Sequence, residues 1–294
     1  MQQTNTGWSA FARAAGLCGV GAMVYLLVAG AAALLPTGGL GAAAVLLAAG
    51  AGQALALGLP ALLLARLEGL SPGRLGLRSA PRGAVGQWLP LFLGAAMGAN
   101  LLAALLRALL DRPAPTGSLP EGGAALVLAL AVNCLLPAVL EELLFRGVMA
   151  GLLAPFGGAA AVAGPAVLFA LLHSEPGQCL TALVCGLVLG LLAQKAGSIL
   201  PGMALHFVNN LLAFVSLYLN QYAPEGPALL ASLALMLGGP VWGAWALYRR
   251  RGARPGWEKP LRPGRAAWQL LLCPAYDVVL LALAARLAWN WMGG

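Results

Sequence analysis

Apolar residues fall along this chain in long unbroken runs, separated by short polar or Gly/Pro-rich connections. The runs occupy approximately residues 14–35, 40–64, 88–110, 124–150, 158–175, 179–196, 198–219, 227–248 and 268–291. A helix crossing the ~30 Å hydrocarbon layer needs about 20 apolar residues, so most of these runs are long enough to span a membrane. The fifth and sixth are short for full spans, and the fourth is long enough to tilt. The ninth contains Asp277 and Arg286 and suits the membrane interface as well as a span. Eight to nine spans are expected. None of the runs shows the period-two alternation of barrel strands, and open strands cannot satisfy their backbone groups in lipid. The pattern therefore predicts an all-α, polytopic transmembrane helix bundle. Residues 1–248 form its membrane core, and 249–294 a basic loop followed by a further membrane or interfacial helix. Small residues one turn apart, such as Gly186 and Gly190, would let these helices approach closely.

Composition removes the alternatives. The 294 residues are 61% hydrophobic and 9% charged, against roughly 25% charged in a soluble domain. Too few charges remain to cover a water-soluble particle, and no stretch is polar enough to be disordered or to form a separate soluble domain. The first run is also longer than the 7–15 residues of a signal-peptide core and is expected to stay as a membrane helix. The five cysteines are odd in number, lie in or beside apolar runs and include no CxxC pair, so neither a disulfide framework nor a zinc knuckle is indicated.

The net charge of +8 raises the question of nucleic acid, but its distribution answers it. The basic residues stand in short loops between apolar runs, not on one face of a soluble fold. With the N-terminus inside, the inner segments hold Arg13, then Arg66, Arg74, Arg78 and Arg82, then Lys195. They also hold the block Arg249, Arg250, Arg251, Arg254, Lys259, Arg262 and Arg265. The outer loops hold Arg107 and Arg112, balanced by Asp111 and Glu121. The positive-inside rule then predicts a multi-pass cell-membrane protein with a cytoplasmic N-terminus and no nucleic-acid partner.

Few ionisable groups lie within the apolar runs, and each costs about 2.5–3.5 kcal/mol at mid-membrane on insertion scales. They are Glu141, Glu142, Arg146, His173 and His206. Glu142 and Arg146 are four residues apart and share a helix face, so a salt bridge can offset much of their burial. Glu141 points about 100° away, without an obvious local partner, on the face that carries Cys134, Ala138 and Phe145. It is the natural general acid or base of the group. The same three residues can equally form one structural ion cluster.

The second group is Phe169-Ala-Leu-Leu-His173, with ring and imidazole one turn apart; Glu175 is near enough in sequence to partner His173. The third is His206-Phe-Val-Asn-Asn210, again one turn apart, which serves either as glue between helices or as a pair of hydrogen-bond donors. Together these groups lie on three separate runs, the fourth, fifth and seventh, which a bundle can bring around one cavity. A carboxylate and an imidazole can hold and deprotonate a water, while a second imidazole and an amide can donate to a developing oxyanion. That is a complement for peptide-bond hydrolysis without a side-chain nucleophile. A fifth helix running the full span would carry His173 to the outer face, away from Glu141 and His206. A short or broken one would keep the three level.

The ordered set Glu141-Glu142-xxx-Arg146, Phe169-xxx-His173 and His206-xxx-Asn210 resembles the CPBP family, which includes CAAX-processing prenyl-protein endopeptidases and bacteriocin-processing or immunity proteins. The likeness covers roughly residues 124–215 as motif and 14–248 as fold. It implies a multi-pass membrane endopeptidase in which Glu141, with His173, activates water while His206 and Asn210 stabilise the oxyanion. Glu142, Arg146 and Phe169 would support the site. A metallo-type variant would use Glu141, His173 and His206 as zinc ligands with an open fourth position, although HExxH is absent; a metal-free site is the first choice. The implied partner is a peptide or lipidated-protein substrate in or at the membrane. The Ala/Gly/Arg-biased composition favours peptide maturation or immunity over prenyl-protein processing. A non-catalytic immunity or scaffold protein using the same cavity, and a transporter, are the competing classes.

Overall fold

The computed structural model describes residues 2–112, 117–251, 256 and 258–293. Arg254 of the basic loop lies outside the described residues. The described residues build a helical bundle and contain no strand. Its helices are α1 (Gln2–Ala33), α2 (Ala42–Leu67), α3 (Ala84–Leu109), α4 (Gly123–Phe156), α5 (Gly158–Leu171), α6 (Pro176–Ala196), α7 (Leu200–Tyr222), α8 (Glu225–Arg249) and α9 (Pro274–Gly293).

Seven of these helices are long and apolar enough to cross a membrane, fewer than the eight to nine spans expected. The two that fall short have physical reasons. Helix α5 has 14 residues, about 21 Å at 1.5 Å per residue, well under the hydrocarbon thickness. Helix α9 carries Asp277, Arg286 and Asn290 among its apolar residues.

The boundaries follow local chemistry. Pro176 and Pro201 stand at the first turns of α6 and α7, where a missing N–H costs nothing. Gly197 ends α6 in the left-handed conformation, with φ of 65°. Gly157, with φ of 128°, lets the chain turn between α4 and α5. A Cβ there would stand 2.9 Å from the backbone of Gly264, so the C-terminal segment also closes on this turn.

The second half of α4 is the centre of the bundle. Leu144, Phe145, Val148, Met149 and Leu153 are all buried, packed among Phe11 and Cys18 of α1, Leu57 and Leu64 of α2, and Tyr276 and Leu283 of α9. A helix apolar all round belongs inside, and its few polar residues are therefore held in a fixed frame. Small residues set the closest approaches. A Cβ at Gly186 or Gly190 of α6 would meet Ala166 or Val162 of α5 at 3.1 and 3.3 Å, as their spacing predicts. Gly94 of α3 and Gly243 of α8 meet in the same way. Outward-facing leucines such as Leu47, Leu105 and Leu230 are exposed, a surface suited to lipid tails.

The two ends of the bundle differ in charge. At one end the segments 68–83, 195–199 and 256–265 meet: Ile199 N–H donates to Gly76, Lys259 N–H to Lys195, and Gly158 N–H to Arg262. The start of α1 joins them through Arg13–Glu68 at 2.6 Å and through Arg265, which lies over the Trp8 and Phe11 rings. This is the basic end. At the other end Arg107 pairs with Glu175, and Gln221 accepts from the Leu119 N–H.

Candidate active site

Near its middle, α4 leaves regular α-helical geometry, with π-helical segments over Ala131–Leu135 and Glu142–Met149 flanking the α-helical Leu136–Glu141. Such widened turns recur at functional sites because they re-aim side chains that a regular helix would space evenly. Here they bear on the two adjacent glutamates. Glu142 points inward and is fully buried. Glu141 borders a cavity with its side chain 16% exposed.

Glu142 makes the pair its spacing predicts: Oε1 lies 2.8 Å from Arg146 Nη1, both side chains buried. It also does something the sequence did not disclose. The same Oε1 is 3.0 Å from Nδ1 of His206 on α7. A carboxylate held by a guanidinium accepts, so Nδ1 carries the proton and donates it. Nε2 is then turned the other way, to within 3.5 Å of Glu141 Oε2. One imidazole thus stands between two consecutive carboxylates. The Cβ-free Gly202, one turn before His206 on α7, leaves the room: a Cβ there would lie 2.9 Å from Glu142 Oε2.

His173 follows the end of α5. Its Nδ1 is 2.9 Å from the carbonyl oxygen of Phe169, which can only accept. Nδ1 is therefore the protonated nitrogen, and Nε2 is left with its lone pair. The shortness of α5 matters here, since it stops the chain within the bundle and brings His173 to the same cavity as Glu141 and His206. Glu175 is not its partner. Its carboxylate caps α6, accepting from Gly177 N–H at 2.9 Å and Gln178 N–H at 2.7 Å. The turn is held from α9 as well, where Arg286 Nη2 donates to the Leu172 carbonyl at 2.9 Å. Both charges thus serve to fix the segment that carries His173.

Phe169 joins the three motifs physically. Its ring meets Phe145 at 5.1 Å, His173 at 5.0 Å and His206 at 6.1 Å, all edge to face, and carries the Arg146 guanidinium 4.6 Å from its centroid. Aromatic edges and a cation over one face are favourable arrangements. They fix both imidazoles against a single rigid plate.

The cavity has a volume of about 790 Å³. Glu141, His173, His206 and Asn210 all line it, so all four chemistry-bearing residues read from the sequence come together. Its lining extends to Arg107, Leu119, Glu175 and Leu217, at the end of the bundle opposite the basic loops. Residues His206 and Leu217 are about 16 Å apart along α7, which measures its depth. The walls also carry Gln53, Asn100, Asn133, Thr181 and Asn209. Thr181 donates to Asn100 at 2.8 Å, while Gln53 Oε1 and Asn209 Oδ1 are buried without a protein partner among the described residues. Polar but uncharged, these residues do not stand out among the ionisable groups of the sequence. The cost of an amide in an apolar run is the signal that finds them.

Among the described residues no group of three His, Cys, Asp or Glu side chains is disposed to hold one metal ion. Both His206 nitrogens face carboxylates and His173 Nδ1 is taken by its own helix.

No curated protein and no solved structure matched the chain in comparison. A family model did. Residues 123–212 match the model described as Rce1-like, Type II CAAX prenyl endopeptidase Rce1-like, and this stretch contains all three motifs and every residue just assembled around Phe169. Over that segment the chain is similar to the type II CAAX prenyl endopeptidases, in agreement with the CPBP resemblance that its three motifs carry.

Proposed function

We propose that this protein hydrolyses a peptide bond of a membrane-associated peptide or protein with a water activated by Glu141. The observation that carries the reading is the Glu141–His206–Glu142 stack inside a cavity also lined by His173 and Asn210. Glu141 is the carboxylate of the pair not committed to Arg146, and it faces the cavity.

In the proposed reaction the water sits between Glu141 and the unprotonated Nε2 of His173. Glu141 takes its proton as the oxygen attacks the carbonyl carbon. The carbonyl oxygen becomes an oxyanion and accepts from the Asn210 amide and from Nε2–H of His206 in its imidazolium form. Glu142, anchored by Arg146, keeps the His206 ring pointed at that oxygen and balances its charge. Glu141 then hands the proton to the departing amine, which completes hydrolysis with no covalent enzyme intermediate and no metal ion. Fixed in place by the fold, these dipoles and charges act more strongly than they would in bulk water.

The mouth of the cavity supports a direction of approach. With the basic loops in the cytoplasm, the mouth lies at the opposite, non-cytoplasmic end, and the substrate reaches Glu141 from there. Such access suits maturation of an exported or membrane-held peptide better than processing of a cytoplasmic prenylated tail. The test is comparative peptidomics of membranes and medium from cells carrying wild type or Glu141→Gln. A defined peptide lost, and its precursor accumulated, in the variant supports the reading; identical peptide profiles contradict it.

A further inference from the structure

We infer that a second cavity, at the basic end of the bundle, is a binding site for a phosphate group, carried by an anionic lipid headgroup or by a free phosphate. It has a volume of about 430 Å³ and is walled by Arg74, Arg78, Arg146, Lys259 and Arg262. No Asp or Glu lines it among the described residues. The acids near this end are engaged elsewhere, Glu68 with Arg13 at 2.6 Å and Glu258 with Lys195 and Arg250 at 3.5 and 3.0 Å. Arg74, Lys259 and Arg262 have no acidic partner among the described residues, and Arg78 donates only to the Gly73 carbonyl at 2.9 Å.

The positive-inside rule explains why these residues are on one side of a membrane. It does not explain why they converge on one concave space from three separate segments, 71–78, 146–155 and 259–262. Arg146 is paired with Glu142 at 2.8 Å, but Arg74, Arg78, Lys259 and Arg262 come together without an acid and repel one another, and the arrangement becomes favourable when an anion enters. Arginine matches phosphate geometry through paired N–H donors, and Ser71 in the lining adds a hydroxyl. Helix α7 begins at Leu200, beside Ser198, and the positive end of its dipole adds to the field. Basic pockets between helices at the cytoplasmic surface suit lipid headgroups. The site shares Arg146 with the candidate active site but does not rest on the peptidase reading, and the variants below leave Arg146 untouched.

The test uses the full-length protein, delipidated in uncharged detergent. Thermal unfolding is followed in two arms. One titrates inorganic phosphate against chloride at equal ionic strength. The other compares micelles doped with phosphatidylglycerol against phosphatidylcholine, with native mass spectrometry to count retained lipid. The variant is Arg74→Gln/Lys259→Gln/Arg262→Gln, and the control is Arg249→Gln/Arg251→Gln, basic residues of the same end outside the cavity. Wild type and control should show a saturable anion-dependent rise in Tm, and the variant should need at least about fivefold more anion. A shift with phosphate alone assigns a free phosphate as sufficient; a shift only with phosphatidylglycerol assigns the headgroup. If the triple variant does not fold, Lys259→Gln and Arg262→Gln singly should each weaken the shift. No anion-specific shift in either arm, or equal loss in the control, overturns the proposal.

Discussion

Glu142 and His206, 64 residues apart in sequence, meet at 3.0 Å, the carboxylate Oε1 accepting from Nδ1 of the ring. Since the same oxygen is 2.8 Å from Arg146, one buried carboxylate ties the central helix to α7 and fixes which face of His206 the cavity sees. Glu142 is thus both a structural anchor and the residue that orients a catalytic candidate.

Replacing Glu142 by Gln should therefore damage two things at once. Arg146 would be left as a buried cation without its counter-charge, a change that costs about 3–5 kcal/mol, and His206 would lose the carboxylate that orients its ring. The expected outcome is a markedly lower Tm in detergent together with slow cleavage by the folded fraction. A variant with wild-type Tm and wild-type rate would remove Glu142 from both roles.

Glu175 provides the contrasting case. Its carboxylate caps α6 and pairs with Arg107, so Glu175→Ala should lower stability by about 0.5–2 kcal/mol, the range for losing a helix cap. Cleavage should survive. Chemical denaturation and a rate assay on the same preparation check this, and an inactive variant of unchanged stability would move Glu175 into the chemistry.

These two glutamates also mark how far the sequence can be read. The spacing of Glu142 and Arg146 is local, and helix geometry suffices to pair them. The meeting of Glu142 with His206 is not local; it depends on where α7 packs, and no periodicity carries that information. His173 shows the same limit. The stretch His173-Ser174-Glu175-Pro176-Gly177 marks where α5 stops, but how deep that end lies depends on how the 14-residue helix packs. The π-helical turns of α4 are likewise invisible in the sequence, because they arise from how the helix is packed. What was legible was a set of costly groups: an acid or imidazole in an apolar run needs a reason, and Glu141, Glu142, His173 and His206 meet at one site. Extending that rule to amides would also have found Gln53, Asn100 and Asn209.

Metal dependence gives a direct chemical check. Purified protein should contain zinc well below one equivalent by elemental analysis, and exhaustive chelation should leave the cleavage rate unchanged. Stoichiometric zinc whose removal and return switch activity off and on would replace the glutamate mechanism with a metal-based one.

The direction of substrate entry can be tested by accessibility. In a cysteine-free background, Ser118→Cys, at the mouth of the cavity, should react with a membrane-impermeant thiol reagent in intact cells. Gly256→Cys, in the basic loop, should react only after the membrane is opened. The reverse pattern would place the mouth in the cytoplasm.

The central claim is that Glu141 is the base, and the rate of Glu141→Gln at matched protein amounts measures it most directly. The substitution keeps the size of the side chain and its capacity to hydrogen-bond, and Glu141 is not the partner of Arg146. The variant should unfold at the wild-type Tm and cleave at least ~10²-fold more slowly, the low end for loss of a general base. Near-wild-type cleavage by folded Glu141→Gln would contradict the mechanism.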